Sequence, residues 1–307
     1  MKKNVLIIGG SYFVGRIFVE KLADLKAYDI YIVNRGNKPL GLAGVREIKC
    51  DRHSIQLKSH IPNLEWEAVV DFCAYEPVDV IKLFIALESY RVRQYIFISS
   101  AGVYKDTSDL PVKETAPKLD GPQLVRHPGI AYRYDKRQTE LKVMDLCQKI
   151  QIPFTIIRPV MIYGRYNYAP RESYFFDMIR RGEPIVEPSG CLSLFQFVSV
   201  WDAAKALCAC LQNEKAYNLA FNLAGEELIC YRRYYQVLGE ITGKKPVIKF
   251  MSLQAVQESG MSLPFPLDRH LIYSGRLAQK VLLFDYTPFE EGMRLSWECY
   301  LQDNAVP

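Results

Sequence analysis

The sequence predicts an α/β protein, a doubly wound parallel sheet with a smaller, irregular C-terminal lobe. Three observations predict it. In the first half of the chain, short and nearly continuous apolar runs alternate with helical patterns; parallel strands covered on both faces read this way. The first run, Val5 to Ile8, passes into Gly9-Gly10 and then a helix that carries Gly15. A strand, a glycine turn and a helix in that order aim a helix N-terminus at an anion, most often a pyrophosphate. In the second half the alternation fails, and prolines interrupt the pattern at Glu183-Pro184, Glu187-Pro188 and Leu263-Pro264-Phe265-Pro266.

Taken in order, the expected strands are 4–8, 29–34, 45–50, 67–71, 94–99 and 153–158. The expected helices are 13–26, 77–90 and 134–150, with a weaker one after Asp51. Right-handed crossovers wind such a unit on both sides of its first strand. Ligands then bind at the carboxyl ends of the strands, which sets Gly9, Asn34, Asp71, Ser99 and Arg158 along one edge. Residues 105–130, with Pro111, Pro117, Pro122 and Pro128, read as a long loop of the kind that usually serves function or stays disordered. Helices follow at 171–181, 201–213 and 230–242. The expected division is a dinucleotide-binding domain over 1–165, rejoined by a segment at about 195–225, and a lobe over 166–307 that is mainly substrate-binding.

Composition narrows the classes. A chain of 307 residues, 49% hydrophobic and 24% charged, is ordinary for a globular protein with a sizeable core. The formal net charge of +5 is too small to indicate nucleic acid by itself. Nothing approaches the ~20 apolar residues of a membrane helix. The start, Met1-Lys2-Lys3 and four apolar residues, lacks the cleavage site of a signal peptide and reads as a strand. Eight cysteines form no C-x-x-C and suit free thiols in a reducing cytoplasm. The four histidines show no metal-ligand spacing, so no metal is expected.

Tyr132 and Lys136 form Y-x-x-x-K, which puts both on one helix face. An ammonium beside a phenol favours the phenolate, and a phenol so tuned can act as general acid or base at neutral pH. Ser99 and Ser100 end the strand at 94–99 on the ligand edge, where a hydroxyl could bond the oxygen that Tyr132 protonates. Cofactor choice turns on Asn34-Arg35: an Asp or Glu would accept from a ribose 2′-hydroxyl, whereas asparagine removes that charge and arginine grips a phosphate. NADP is expected, with NAD open. Asp51 is expected to border the adenine. Basic and aromatic residues interleave at 163–174 and at Tyr231-Arg232-Arg233-Tyr234-Tyr235. A nucleotide-sugar pocket using Arg165 and Arg171 or a single-stranded RNA surface would both use them. The second string has helical spacing and also reads as half core, half solvated face.

These landmarks, with Ser99-Ser100…Val103-Tyr104, Glu140, Ile157-Arg158-Pro159, Tyr163-Gly164, Phe197-Val198-Ser199-Val200-Trp201-Asp202, Phe221-Asn222-Leu223 and Pro288-Phe289-Glu290-Glu291-Gly292, resemble the extended short-chain dehydrogenase/reductases, the NAD-dependent epimerase/dehydratase group, along nearly the whole chain. The resemblance implies a Rossmann-type fold and hydride transfer at a Ser-Tyr-Lys site. Ser100 would be the catalytic hydroxyl and Tyr132 the acid/base. Lys136 would tune Tyr132 and bind the nicotinamide ribose. Gly9 to Gly15 (Gly9, Gly10, Ser11, Tyr12, Phe13, Val14, Gly15), Ser99, Arg158 and Pro159 would line the cofactor, and Ser100, Tyr104, Arg165 and Arg171 the substrate. The chain departs at Tyr12, where the pattern has glycine. That feature and Asn34-Arg35-Gly36 look more like a branch that includes chloroplast stem-loop RNA-binding proteins. The expected activity is that of an epimerase, dehydratase or reductase on a nucleotide sugar, an oxidoreductase or isomerase of the cytoplasm. The alternative is a catalytically silent NADP(H)- or RNA-binding protein. Nucleic acid and membrane are not expected partners, and a homodimer is left open.

Overall fold

A computed structural model describes residues 2–121, 128–169 and 171–304; Pro122 and His127 of the expected loop lie outside these. The first half runs β1 (Lys3–Ile8), α1 (Phe13–Asp24), β2 (Tyr28–Asn34), β3 (Val45–Lys49), α2 (Leu57–His60), β4 (Ala68–Asp71), α3 (Pro77–Leu87), β5 (Tyr95–Ile98), α4 (Pro128–Lys149) and β6 (Phe154–Pro159). The second half runs β7 (Met161–Tyr163), α5 (Glu172–Arg181), β8 (Ile185–Ser189), β9 (Phe197–Ser199), α6 (Val200–Cys210), β10 (Leu219–Leu223), α7 (Tyr231–Thr242), β11 (Ile248–Ser252), α8 (Leu253–Glu258), α9 (Arg276–Leu282) and α10 (Phe289–Asp303). The helix expected from 134 begins earlier, at Pro128.

Seven strands form one parallel sheet in the order β10-β6-β5-β4-β1-β2-β3. The order reverses between β1 and β4, which creates the crevice at the carboxyl edge. Strand periodicity divides the core in two. Val5, Ile7, Ile30, Ile32, Val70 and Ile96 face α1 and α6. Leu6, Ile8, Tyr31, Val33, Val69 and Phe97 face α3 and α4. Side chains two apart share a face, so both sets are buried because both faces are covered. The C-terminal lobe has its own core, built largely of aromatic rings: Phe175, Phe195, Phe197, Tyr234, Phe265 and Phe289. Two small sheets, β8 with β11 and β7 with β9, lie outside the main one.

Helix α4 is the element that matters for the site. Lys136, Thr139, Glu140, Val143 and Cys147 are its buried residues, spaced as one helical face. Glu140 receives Arg158 of β6 through two bonds, Nε to Oε1 at 2.8 Å and Nη2 to Oε2 at 2.9 Å. Both partners are out of water. Removing one partner of such a pair strands the other charge, so Glu140→Ala is expected to lower unfolding free energy by about 3–5 kcal/mol. Replacing both with apolar residues should recover most of the loss. Urea denaturation checks both; a loss below about 1 kcal/mol would contradict the account, because that is the scale of an exposed pair.

Candidate functional site

A cleft of about 1330 Å³ crosses the carboxyl edge of the sheet, above the roughly 300–1,000 Å³ of an ordinary small-ligand pocket. One end is the glycine turn. Gly9 and Gly10 have φ of +90° and +85°, and a Cβ on Gly15 would fall 2.6 Å from the Cα of Gly10. The expected need for glycine at Tyr12 is relieved by the backbone. Tyr12 is extended at φ −130°, and Phe13 takes the left-handed conformation at φ 42° instead. The Tyr12 ring borders the cleft with the Lys38 ammonium 4.9 Å from its centre. Ser11 and Ser99 also line this cleft, and their Oγ atoms are buried without a hydrogen-bond partner. Two orphan hydroxyls and a helix N-terminus behind tight glycines are the furnishings of an anionic dinucleotide, and the residues present fit one.

At the end of β2, Asn34 Oδ1 accepts from the Gly36 N–H at 2.7 Å, and its Nδ2 donates to Glu47 at 3.0 Å. Arg35 is exposed on the cleft rim and bonds no other described residue. Asp51 is held in its turn by the His53 N–H. Behind them lies a pair that sequence reasoning missed. Arg52 grips buried Asp71 at 2.8 and 3.0 Å and also donates to the Asp79 carbonyl. Tyr95 donates to the same Asp71. The signal was Asp71 itself, a carboxylate ending an apolar strand, which needs a cation once buried.

Ser100, Tyr132 and Lys136 line the cleft together. Ser100 Oγ accepts from the Gly102 N–H. Helix α4 presents the Tyr132 ring to the cleft, 42% exposed. Burial of its hydroxyl end and nearby Tyr168 push its pKa up, while Ser100 and Arg171 pull it down. The Lys136 ammonium is bonded to backbone carbonyls. Its Nζ donates to the carbonyls of Ala74 at 2.7 Å and Ile98 at 2.9 Å, between the rings of Tyr75 and Phe97. Burial brings it down to about 8, although Asp71 and Cys73 pull the other way. The i, i+4 spacing aligns the two side chains, but the loop after β4 captures the ammonium first.

Three expected residues are placed differently. Arg158 is buried on Glu140 and on the Tyr104 hydroxyl and does not line the cleft, whereas Pro159 does. Strand alternation turns Arg158 toward α4. Tyr104 reaches the cleft, but its hydroxyl donates to Asn222 and accepts from Arg158. Arg165 is drawn off to Asp303 at 2.8 Å. Arg171 does line the cleft and donates to the Ile162 carbonyl. The far end adds Asp106, Arg133, Arg269, His270 and Tyr273, which come from loops and one helix turn with no spacing to announce them. The string on α7 divides as its periodicity suggested. Tyr231, Tyr234 and Tyr235 enter the core, while Arg232 and Arg233 pair with glutamates. Among the described residues no group of His, Cys, Asp or Glu is placed to hold a metal, and no helix is long and apolar enough to cross a membrane.

This edge holds a dinucleotide cleft with hydroxyls and an amine on its floor, which places the protein among the dinucleotide-dependent α/β enzymes. The model of the NAD dependent epimerase/dehydratase family matches residues 5–224, and the chain belongs to that family. It is 30% identical over 301 residues to the chloroplast stem-loop binding protein of 41 kDa b of Arabidopsis thaliana, covering 92% of this chain and 74% of that one. It is 20% identical to dTDP-D-glucose 4,6-dehydratase of Bos taurus, over 98% and 89% of the two chains. In fold it is similar to UDP-glucuronic acid 4-epimerase from Bacillus cereus in complex with NAD, with a TM-score of 0.78, 16% identity and 97% and 96% coverage.

Lys136 supplies a test that needs no ligand. Its folded pKa of about 8 lies below the ordinary 10.5. The unfolded chain therefore binds this proton more tightly between those values, and the group's contribution to stability improves as pH rises through that window. A lysine side-chain NMR titration should show one ε-carbon moving near pH 8. A Lys136 resonance that stays charged past pH 10 would refute the buried placement.

Proposed function

We propose that this protein is a nicotinamide-dependent enzyme that reversibly oxidises a hydroxyl-bearing carbon of a nucleotide sugar. The observation that carries it is the meeting of Ser100 and Tyr132 beside the dinucleotide end of one cleft. The glycine turn, Ser11, Ser99, Arg35 and Lys136 would hold the cofactor. Bound there, a nicotinamide supplies hydride exchange with the substrate carbon.

The side chains handle the oxygen and its proton. Ser100 bonds the substrate oxygen and orients it. Tyr132, raised above its ordinary pKa, is a phenol at neutral pH and donates a proton to a carbonyl oxygen. In the reverse direction the phenol must give up its proton first, and Arg171 is the cation that already draws it down. Pro159 and Tyr75 border this end and limit water.

Epimerisation or reduction fits better than dehydration. Dehydration needs a further acid/base pair, and the carboxylates on the described lining are Asp51, at the cofactor end, and Asp106. Asp106 is already bonded by two arginines. A nucleotide sugar is favoured because the dehydratase relative carries one in its name and because Arg171 stands in the cleft to meet a phosphate. RNA binding, suggested by the name of the chloroplast relative, would need a basic aromatic surface. The α7 string that could have formed one is spent on the core and on glutamates.

Tyr132→Phe keeps the ring and removes the proton carrier. Turnover on a nucleotide sugar should fall by ~10²–10⁴-fold, with cofactor affinity nearly unchanged. Steady-state kinetics and cofactor titration check this, and near-normal turnover would remove Tyr132 from its role.

NADP is the favoured form, since Arg35 is free at the end of β2 and Asn34 carries no charge. Arg35→Ala should weaken NADPH by ~1.5–3 kcal/mol and leave NADH almost unaffected. Fluorescence titration decides it; equal losses for both would exclude a 2′-phosphate contact.

A further inference from the structure

Arg133 and Arg269 face each other at the substrate end of the cleft, and one carboxylate joins them. Asp106 accepts from Arg133 through Oδ1 and from Arg269 through Oδ2, each at 2.9 Å. The three residues come from separate segments: the stretch after Tyr104, the start of α4 and the loop before Tyr273. Arg133 is fixed in advance. Its Nε donates to the Gly102 carbonyl and its Nη2 to the Tyr104 carbonyl, both at 2.8 Å. Gly102 belongs to the turn that carries Ser100, since its N–H donates to Ser100 Oγ. One guanidinium of the pair is thus anchored beside the Ser100–Tyr132 centre.

The carboxylate between them is the loosest of the three, and Arg269 also bonds its neighbour Asp268 through Nε and Nη2. The Asp106 side chain is 62% exposed, against 28% for Arg133 and 47% for Arg269. Ion pairs this exposed add little to stability, and a released aspartate regains its hydration. Two guanidiniums bridged by the two oxygens of one acid present the geometry that recognises a carboxylate or a phosphoryl group.

We propose that Arg133 and Arg269 bind an anionic substituent of the substrate, a carboxylate or phosphoryl group carried near the reacting carbon, and that Asp106 occupies this site as an internal competitor until the substrate displaces it. The proposal rests on the reading above, in which the substrate oxygen lies at Ser100 and Tyr132. It selects an acidic or phosphorylated sugar over a neutral one.

Binding, read by calorimetry on the full chain in the Tyr132→Phe background, tests it without turnover. The probes are glucuronate and inorganic phosphate, each at fixed ionic strength. Asp106→Asn should tighten one probe about fivefold by removing the competitor. Arg269→Gln should weaken it roughly tenfold and abolish the gain. Glucuronate alone responding assigns a carboxylate; phosphate responding assigns a phosphoryl group. Asp106→Ala, checked for an unchanged melting temperature, guards against a misfolded variant. No response of either probe to Asp106→Asn and Asp106→Ala overturns the site. If that happens while Tyr132→Phe still abolishes turnover of a neutral nucleotide sugar, the anion site falls and the enzyme reading stands.

Discussion

Glu140 holds Nε and Nη2 of the Arg158 guanidinium in a dry interior, and the rest of the site hangs from that grip. Each way of turning α4 against β6 other than the observed one would leave a charge without its partner, at a cost several times that of an exposed pair. The helix therefore has one rotation. Residues four apart share a face, so fixing Glu140 fixes Lys136 one turn earlier and Tyr132 two turns earlier. Lys136 lands under the ends of β4 and β5, and Tyr132 lands at the cleft. Arg133, the next residue, is turned aside toward the Ser100 turn.

A second buried pair does the same for the cofactor end. Arg52 ties the segment after β3 to Asp71 at the end of β4, and Tyr95 closes the group from β5. The Arg158–Glu140 pair lies off the cleft, whereas Arg52 borders it with Asp71 buried behind. Arg158 and Glu140 satisfy each other behind the wall, Arg52 keeps its Nε without a partner, and Ser11 and Ser99 keep unpartnered hydroxyls. An interior that spends its ions on itself and a cleft wall that leaves hydroxyls unspent is how the chain separates scaffold from recognition.

The fold was legible because periodicity reports burial. Leu6 and Ile8 alternate with Val5 and Ile7, and both sets had to be apolar once helices covered both faces. The glycine turn was legible for the same local reason, since no other residue tolerates the approach between Gly10 and Gly15. The expectation for Arg158 erred because strand alternation gives a side chain two faces, and only the position of Glu140 decides between them. Arg165 went to Asp303, a partner far along the chain that no spacing reveals. The Tyr132–Lys136 pair was visible, but its electrostatics was not, because the carbonyls that capture Lys136 belong to Ala74, on a loop 62 residues away, and Ile98, at the end of β5, 38 residues away. Asp106, Arg133 and Arg269 meet only through tertiary folding, and their one-letter context is ordinary.

The separation of the lobe's core from the two that clamp the sheet has a kinetic consequence. The lobe that brings Arg269 to the cleft rests on a core that shares no residue with either of those two. Regions with separate cores open with separate free energies. The lobe and the sheet then open as separate units, each exposing its own part of the cleft. A guest against the glycine turn and one beneath the aromatic lobe are therefore released by different openings.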